Sequence, residues 1–280
     1  MTAPTIGSLR VDGATLHHEV RGQGPLLLLI PGGTGGAASL SGIADDLAAE
    51  YTVATYDPRG ISRSTLDDPD AEQHVAEHAD DALRLLDLLS PGEPARVFGA
   101  SSGAIAALHL LITRPERVER VVAHEPPVVE VLPDAAEHRA LVARVGKTFR
   151  TQGLMPAMAV FAAGLSKDED ADTSAPQSEV GLPPQAAARA EPTLAGLPYF
   201  IGRIVPAFMS YAPDLHRLET LSDRLVLAGG QESIGELPYR PAAFLAERLG
   251  TELLCFPGGH TGLTTHPTEF GEALRKAFRA

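Results

Sequence analysis

Five consecutive aliphatic residues, Leu26 to Ile30, run straight into Pro31-Gly32-Gly33-Thr34-Gly35-Gly36. A strand that is apolar at every position must be covered on both faces, which is the situation of a central strand in a parallel sheet. The rest of the chain therefore has to supply helices to two sides of a sheet. A hairpin is expected first, over Leu9 to Glu19, around the turn-forming Asp12-Gly13. Beyond the glycine loop come a helix near Leu40 to Glu50, a strand from Thr52 to Asp57, and a helix in which Val75, Ala79, Ala82, Leu86 and Leu89 recur at helical spacing until Pro91-Gly92 stops it. Ala95 to Ala100, Ser102 to about Thr113, and Val118 to Glu125 repeat strand, helix, strand. Such alternation reads as an α/β protein with a mostly parallel central sheet flanked by helices.

The rhythm breaks at Pro126 and returns only near Ser222. Between them, helical stretches are expected at Ala135 to Leu165 and Leu194 to Met209, around a proline-rich, acidic linker from Ser166 to Pro184. The expected organisation is a core of residues 1–127 and 223–280 interrupted by an inserted helical cap, 128–222. In the returning core, Asp223 to Gly230 and Glu252 to Phe256 read as strands, and Pro241 to Leu249 and Pro267 to Phe278 as helices.

A chain of 280 residues can bury a core without disulfides or metals. Lys and Arg number 23 against 36 Asp and Glu, a net charge of −13 that repels phosphate backbones and anionic lipid, so neither a nucleic acid nor a membrane is an expected partner. Cys255 is the only cysteine, which excludes an intrachain disulfide and a cysteine-rich zinc site. The first ten residues lack the basic and apolar regions of a secretion signal, and no aliphatic run approaches a membrane span. A soluble, cytoplasmic protein is expected.

Gly99-Ala100-Ser101-Ser102-Gly103 is a G-x-S-x-G pattern at a strand-to-helix junction, where a sharp turn exposes the serine hydroxyl at the carboxyl edge of the sheet. Ser101 is the expected nucleophile; Ser102 lies one residue out of the glycine frame. The loop after Ile30 offers bare backbone, so the N–H groups of Gly33 and Ser102 are the expected oxyanion hole. Of ten histidines, His260 alone follows a strand end through glycines, in Pro257-Gly258-Gly259-His260, and is the expected general base. His17, His18, His74, His78 and His138 are expected at the surface, and His109 and His216 on helices. Two carboxylates compete to orient His260. Glu125 ends the strand after the nucleophile helix, and Glu232 follows the next strand in Gly229-Gly230-Gln231-Glu232. No cluster has metal-ligand spacing and no phosphate-binding glycine fingerprint is present, so no cofactor and no metal are expected.

The order strand, glycine loop, strand, serine elbow, cap, strand, histidine resembles the α/β-hydrolase fold across nearly the whole chain. Within it, Gly60-Ile61-Ser62-Arg63-Ser64, Ser101-Ser102-Gly103-Ala104 and His124-Glu125-Pro126-Pro127 resemble zearalenone-type lactonases and related hydrolases. That resemblance favours Glu125 as the acid, with Glu232 as the alternative that most of the fold family would use. Pro31 departs from it, standing where many hydrolases carry a histidine.

The inserted region holds Met155, Met158 and Met209 with Phe161, Leu165, Leu197, Tyr199, Phe200, Ile204 and Phe208. Of these, Met155, Met158, Phe161, Leu197, Tyr199, Phe200 and Phe208 are expected to line an apolar pocket above Ser101. The combined expectation is a serine hydrolase acting on a small apolar ester or lactone through an acyl-enzyme. An aspartate at position 101 would mark a dehalogenase or epoxide hydrolase instead. A small-ester esterase, a cofactor-free perhydrolase and a small-molecule receptor share the same features, and assembly into a homo-oligomer is compatible with all of them.

Overall fold

The computed structural model describes residues 3–165 and 194–279. The expected linker from Ser166 to Pro184 lies outside the described residues. Among the described residues nine strands form one sheet: β1 Thr5–Val11, β2 Ala14–Arg21, β3 Leu26–Ile30, β4 Thr52–Tyr56, β5 Thr65–Leu66, β6 Ala95–Ala100, β7 Val118–His124, β8 Leu225–Gly230 and β9 Leu253–Phe256. Their spatial order is β1-β2-β4-β3-β6-β7-β8-β9, with β5 paired to β2. The pairs from β4 through β3 to β9 are parallel and those of β1 with β2 and β2 with β4 antiparallel. The hairpin turns at Asp12-Gly13, with Gly13 at φ 72°.

The unbroken apolar run of β3 is explained by what covers it. Leu26, Leu28 and Ile30 face one core cluster, with α2 (Val75–Leu89) and α3 (Ser102–Thr113). Leu27 and Leu29 face the other, with α1 (Ser41–Leu47) and the closing helix Pro267–Arg279. All five leucine and isoleucine side chains are at most 8% exposed, and truncating a core leucine of this kind costs about 2–5 kcal/mol.

Between β7 and β8 the chain leaves the sheet. The stretch expected as continuous helix is two helices, α4 Ala135–Gln152 and α5 Leu154–Leu165, broken at Gly153. After residue 193 come α6 over 194–199, a π-helical turn Phe200–Ile204, α7 Val205–Met209 and α8 Leu215–Thr220. Pro206 accounts for the widened turn. It has no N–H for the carbonyl of Gly202, so the local helix re-forms with the Val205 N–H donating to the Phe200 carbonyl. The inserted helices enclose a cluster of their own around Leu141, Val145, Ile201 and Met209. They also dock on the sheet side of the molecule, where the Tyr199 hydroxyl donates to the Arg59 carbonyl at 3.1 Å. The Arg59 guanidinium in turn makes two 2.7 Å hydrogen bonds to buried Asp81.

Three of the histidines expected at the surface are buried: His18, His78 and His138. His78 falls on the apolar stripe of α2, three residues after Val75, and its ring meets Gln73 at 3.1 Å and the edge of Phe208. His18 lies across Gly7 of the neighbouring strand, where a Cβ would be 2.3 Å from the ring. His138 packs beside Asp134, which stands at the N-cap of α4.

What positions the site is register. Ile30 pairs with Gly99, Ala100 with His124, His124 with Ala228 and Gly230 with Phe256. Five parallel strands thus end along one edge, and the segments that follow them, 31–36, 101, 125, 231–233 and 257–260, emerge side by side.

Candidate active site

Ser101 stands between β6 and α3 at φ 52° and ψ −122°, a region in which a non-glycine residue is strained by about 1–3 kcal/mol. Close crossing of strand and helix imposes the turn. A Cβ on Gly99 would lie 2.5 Å from the Gly103 carbonyl oxygen, and one on Gly103 would lie 2.4 Å from the carbonyl oxygens of Ile30 and Pro31. Glycine at both positions lets α3 start against β3 and β6 with the serine raised on its turn.

Three sequence-distant side chains meet there. His260 Nε2 is 3.1 Å from Ser101 Oγ and His260 Nδ1 is 2.6 Å from Glu125 Oε2. With Glu125 ionised, Nδ1 carries the proton and donates it to the carboxylate, leaving Nε2 to accept from the serine hydroxyl. Of the two competing acids, Glu125 is the one that reaches His260, whereas the Glu232 side chain is exposed and its N–H donates to the Gly258 carbonyl at 3.0 Å. The register between β7 and β8 decides this. The Glu125 N–H still donates to the Ala228 carbonyl at 3.0 Å, and the residue then turns at φ 46° to aim its carboxylate along the sheet edge.

Glu125 is fully buried and its other oxygen, Oε1, accepts from the Gly230 N–H at 2.8 Å and from the Ser233 hydroxyl. Burial alone pushes its pKa up. The hydrogen bond from His260, the neighbouring His124 ring, Ser233 and Gly230 outweigh burial and hold the carboxyl below the ordinary carboxylate range. Ser233 was not anticipated; the available signal was its place three residues past the end of β8.

The Gly33 N–H, expected to face an oxyanion directly, donates to Ser102 Oγ at 3.0 Å. The Ser102 N–H opens α3 and, as a first-turn donor, has no acceptor within the helix. The loop's far end is tied by buried Asp57, which accepts from the Ala37 N–H at 2.7 Å and from Arg63 Nε at 2.8 Å.

Above Ser101 and His260 lies a cavity of about 410 Å³. From the insertion, Phe161, Leu165, Phe200, Ile204, Phe208 and Met209 close it. From the core, Leu40, Leu263 and Thr264 complete the wall, none of them anticipated because each sits in a loop or a short helix without periodicity. Phe161, Phe200 and Phe208 therefore line the cavity as expected geometrically, while Met155, Met158, Leu197 and Tyr199 do not. Met155 is 65% exposed, Met158 packs within the insertion, and Tyr199 is turned to Arg59. Among the described residues no group of three or more His, Cys, Asp or Glu side chains is placed to hold a metal ion.

His124, beneath Glu125, is fully buried against Phe256 and Phe270, and among the described residues neither ring nitrogen has a hydrogen-bond partner. Burial lowers its pKa to about 4 and that of His78 to about 3. An unfolded imidazole titrates near 6.5. Below that pH the unfolded chain binds protons that the folded chain refuses, so stability falls with falling pH, by up to ~1.4 kcal/mol per pH unit for each ring. Glu125 adds in the same direction, its contribution being lost as pH falls through its lowered folded value. Calorimetry should show Tm dropping steadily from about pH 6.5 to about pH 4, with His124→Leu flattening the slope by about half. A flat Tm across that window would mean that water reaches both rings.

A sheet of this order carrying a serine elbow, a histidine after its last strand and a buried acid defines a hydrolase of the α/β class. The chain belongs to the alpha/beta hydrolase fold family, whose model matches residues 25–157. It is similar to the uncharacterized hydrolase YraK of Bacillus subtilis (strain 168), 37% identical over 96% of this chain and 94% of that protein. It is also similar to a zearalenone hydrolase of Cladophialophora bantiana, 26% identical over 97% of this chain and 95% of that protein. Among solved structures it resembles a thermophilic esterase from Thermogutta terrifontis, with a TM-score of 0.73 at 19% identity, covering 99% of this chain and 98% of that one.

Proposed function

We propose that this protein is a serine hydrolase that cleaves a carboxylic ester or lactone of an apolar molecule. The observation that carries the reading is the hydrogen-bonded chain Ser101–His260–Glu125 opening into an apolar cavity. Ser101 Oγ attacks the carbonyl carbon while its proton passes to His260 Nε2, and Glu125 holds the resulting imidazolium in orientation. The Ser102 N–H, with the Gly33 loop beside it, stabilises the oxyanion. His260 returns the proton to the leaving oxygen, and water, activated by the same ring, releases the acyl group. In this reading the helices of 128–222 act as a cap over the acyl or ring portion of the substrate. The hydrolase and zearalenone hydrolase relatives support ester or lactone chemistry.

Substrate size tests it. A cavity walled by aromatic and aliphatic side chains rewards buried apolar area at about 25 cal/mol per Å². With purified protein, kcat/KM should rise from aryl acetates to bulky aryl esters and aromatic macrocyclic lactones. Phe161→Ala and Phe200→Ala should depress the bulky substrates by about 10- to 100-fold and the acetates far less. Met155→Ala should leave both within about twofold, because that side chain faces solvent. Fastest turnover of acetates, with lactones untouched, would reduce the protein to a small-ester esterase.

A further inference from the structure

We infer that the side-chain hydroxyl of Ser102, and not the Gly33 N–H, is the second donor to the oxyanion, a proposal that rests on Ser101 being the nucleophile. The Gly33 N–H is already engaged, donating to Ser102 Oγ at 3.0 Å. A serine hydroxyl accepts through a lone pair and keeps its proton for a bond of its own. Among the described residues the Ser102 hydroxyl donates to no acceptor, and Ser102 lines the cavity beside Ser101 and His260 while remaining only 8% exposed. Its proton is thus left for whatever oxygen enters the cavity.

During attack, the Ser101 oxygen forms its bond to the carbonyl carbon, the serine proton moves to His260 Nε2, and the carbonyl π pair moves onto oxygen. That oxyanion accepts two hydrogen bonds from one residue, from the Ser102 N–H and from the Ser102 O–H. The Gly33 N–H acts one bond further back: by donating to Ser102 Oγ it polarises the O–H and fixes its direction. When the tetrahedral carbon collapses, the pair returns to the carbonyl, the leaving oxygen takes the proton from His260, and the Ser102 hydroxyl is restored unchanged. The arrangement also explains how a loop of four glycines among six residues, 31–36, is held in place without bulky side chains: a hydroxyl on the first turn of α3 fastens it.

The two assignments make opposite forecasts for Ser102→Ala. If the hydroxyl is the donor, kcat on an aryl ester falls by about 10²-fold, the usual effect of removing one oxyanion donor, while KM changes by less than about threefold. The affinity of an aryl boronic acid, whose adduct on Ser101 places an oxygen in the oxyanion position, should fall by a similar factor. Ser102→Thr, which keeps a hydroxyl, should recover activity to within about tenfold of the unaltered protein. If the Gly33 N–H is the true donor, Ser102→Ala frees it, and kcat is unchanged or higher; that result overturns the proposal. Equal losses in the alanine and threonine variants, accompanied by a lowered Tm, would assign the hydroxyl a purely structural part and overturn it too. Mass spectrometry after treatment with a fluorophosphonate separates this outcome from failure of the underlying reading. Slow but complete modification of Ser101 in Ser102→Ala keeps the nucleophile in place, whereas modification of the unaltered protein at any residue other than Ser101 removes both.

Discussion

Ser101→Ala should abolish labelling by a fluorophosphonate and lower kcat on aryl esters by about 10⁶-fold, the scale seen when a triad nucleophile is removed, with the fold left intact. The hydroxyl meets His260 and packs against nothing that depends on it, so Tm should stay within a few degrees of the unaltered protein. Retained Tm is what makes the result interpretable. Gly99→Ala would also silence the enzyme, but through collision with the Gly103 carbonyl and Ala104, and with loss of stability. Labelling that survives in Ser101→Ala and disappears in Ser102→Ala would move the nucleophile by one residue.

Glu125→Gln should lower kcat by about 10⁴-fold, against only a few-fold for Glu232→Gln. The size of the first effect follows from the hydrogen bonds around the carboxylate. Oε1 is bound by two donors, the Gly230 N–H and the Ser233 hydroxyl, so a glutamine keeps its carbonyl oxygen there and turns its amide nitrogen toward His260. An N–H₂ group facing Nδ1 selects the tautomer whose proton sits on Nε2, and that nitrogen then cannot accept from Ser101. Glu232 is exposed, and its loss leaves this chain of bonds untouched. A larger loss of kcat in Glu232→Gln than in Glu125→Gln would reverse the assignment.

The centre of the sheet is legible in the sequence because β3, covered on two sides, carries no polar residue to disguise it. Val75–Leu89, Ala95–Ala100 and Ser102–Thr113 appear at the expected residues. Short elements are different. β5 is two residues long, and α8 announced itself only by Asp214, whose carboxylate accepts from the Arg217 N–H to cap it. The choice between Glu125 and Glu232 was open because both lie just past the ends of adjacent strands; pairing register across the sheet, which no local pattern encodes, decides which one meets His260. Pocket residues failed for a related reason. α5 carries no charged residue from Leu154 to Leu165, so its sequence does not say which face turns inward, and Met155 faces out while Phe161 faces in. The buried histidines were missed because His78 and His138 sit on helices rich in charge, where an imidazole normally stays wet.

The histidine of the site hangs from the sheet's last strand, and that strand is one of its margins. β9 is four residues long, pairs on one side only among the described residues, and has a single buried residue, Phe256. Ser101 and Glu125 follow β6 and β7, which are buried strands in the middle of the sheet. Partial fraying of the β9 margin would therefore separate the proton acceptor from an otherwise intact nucleophile and acid, so that catalysis would be lost at a local opening whose free energy has that of global unfolding as its upper bound.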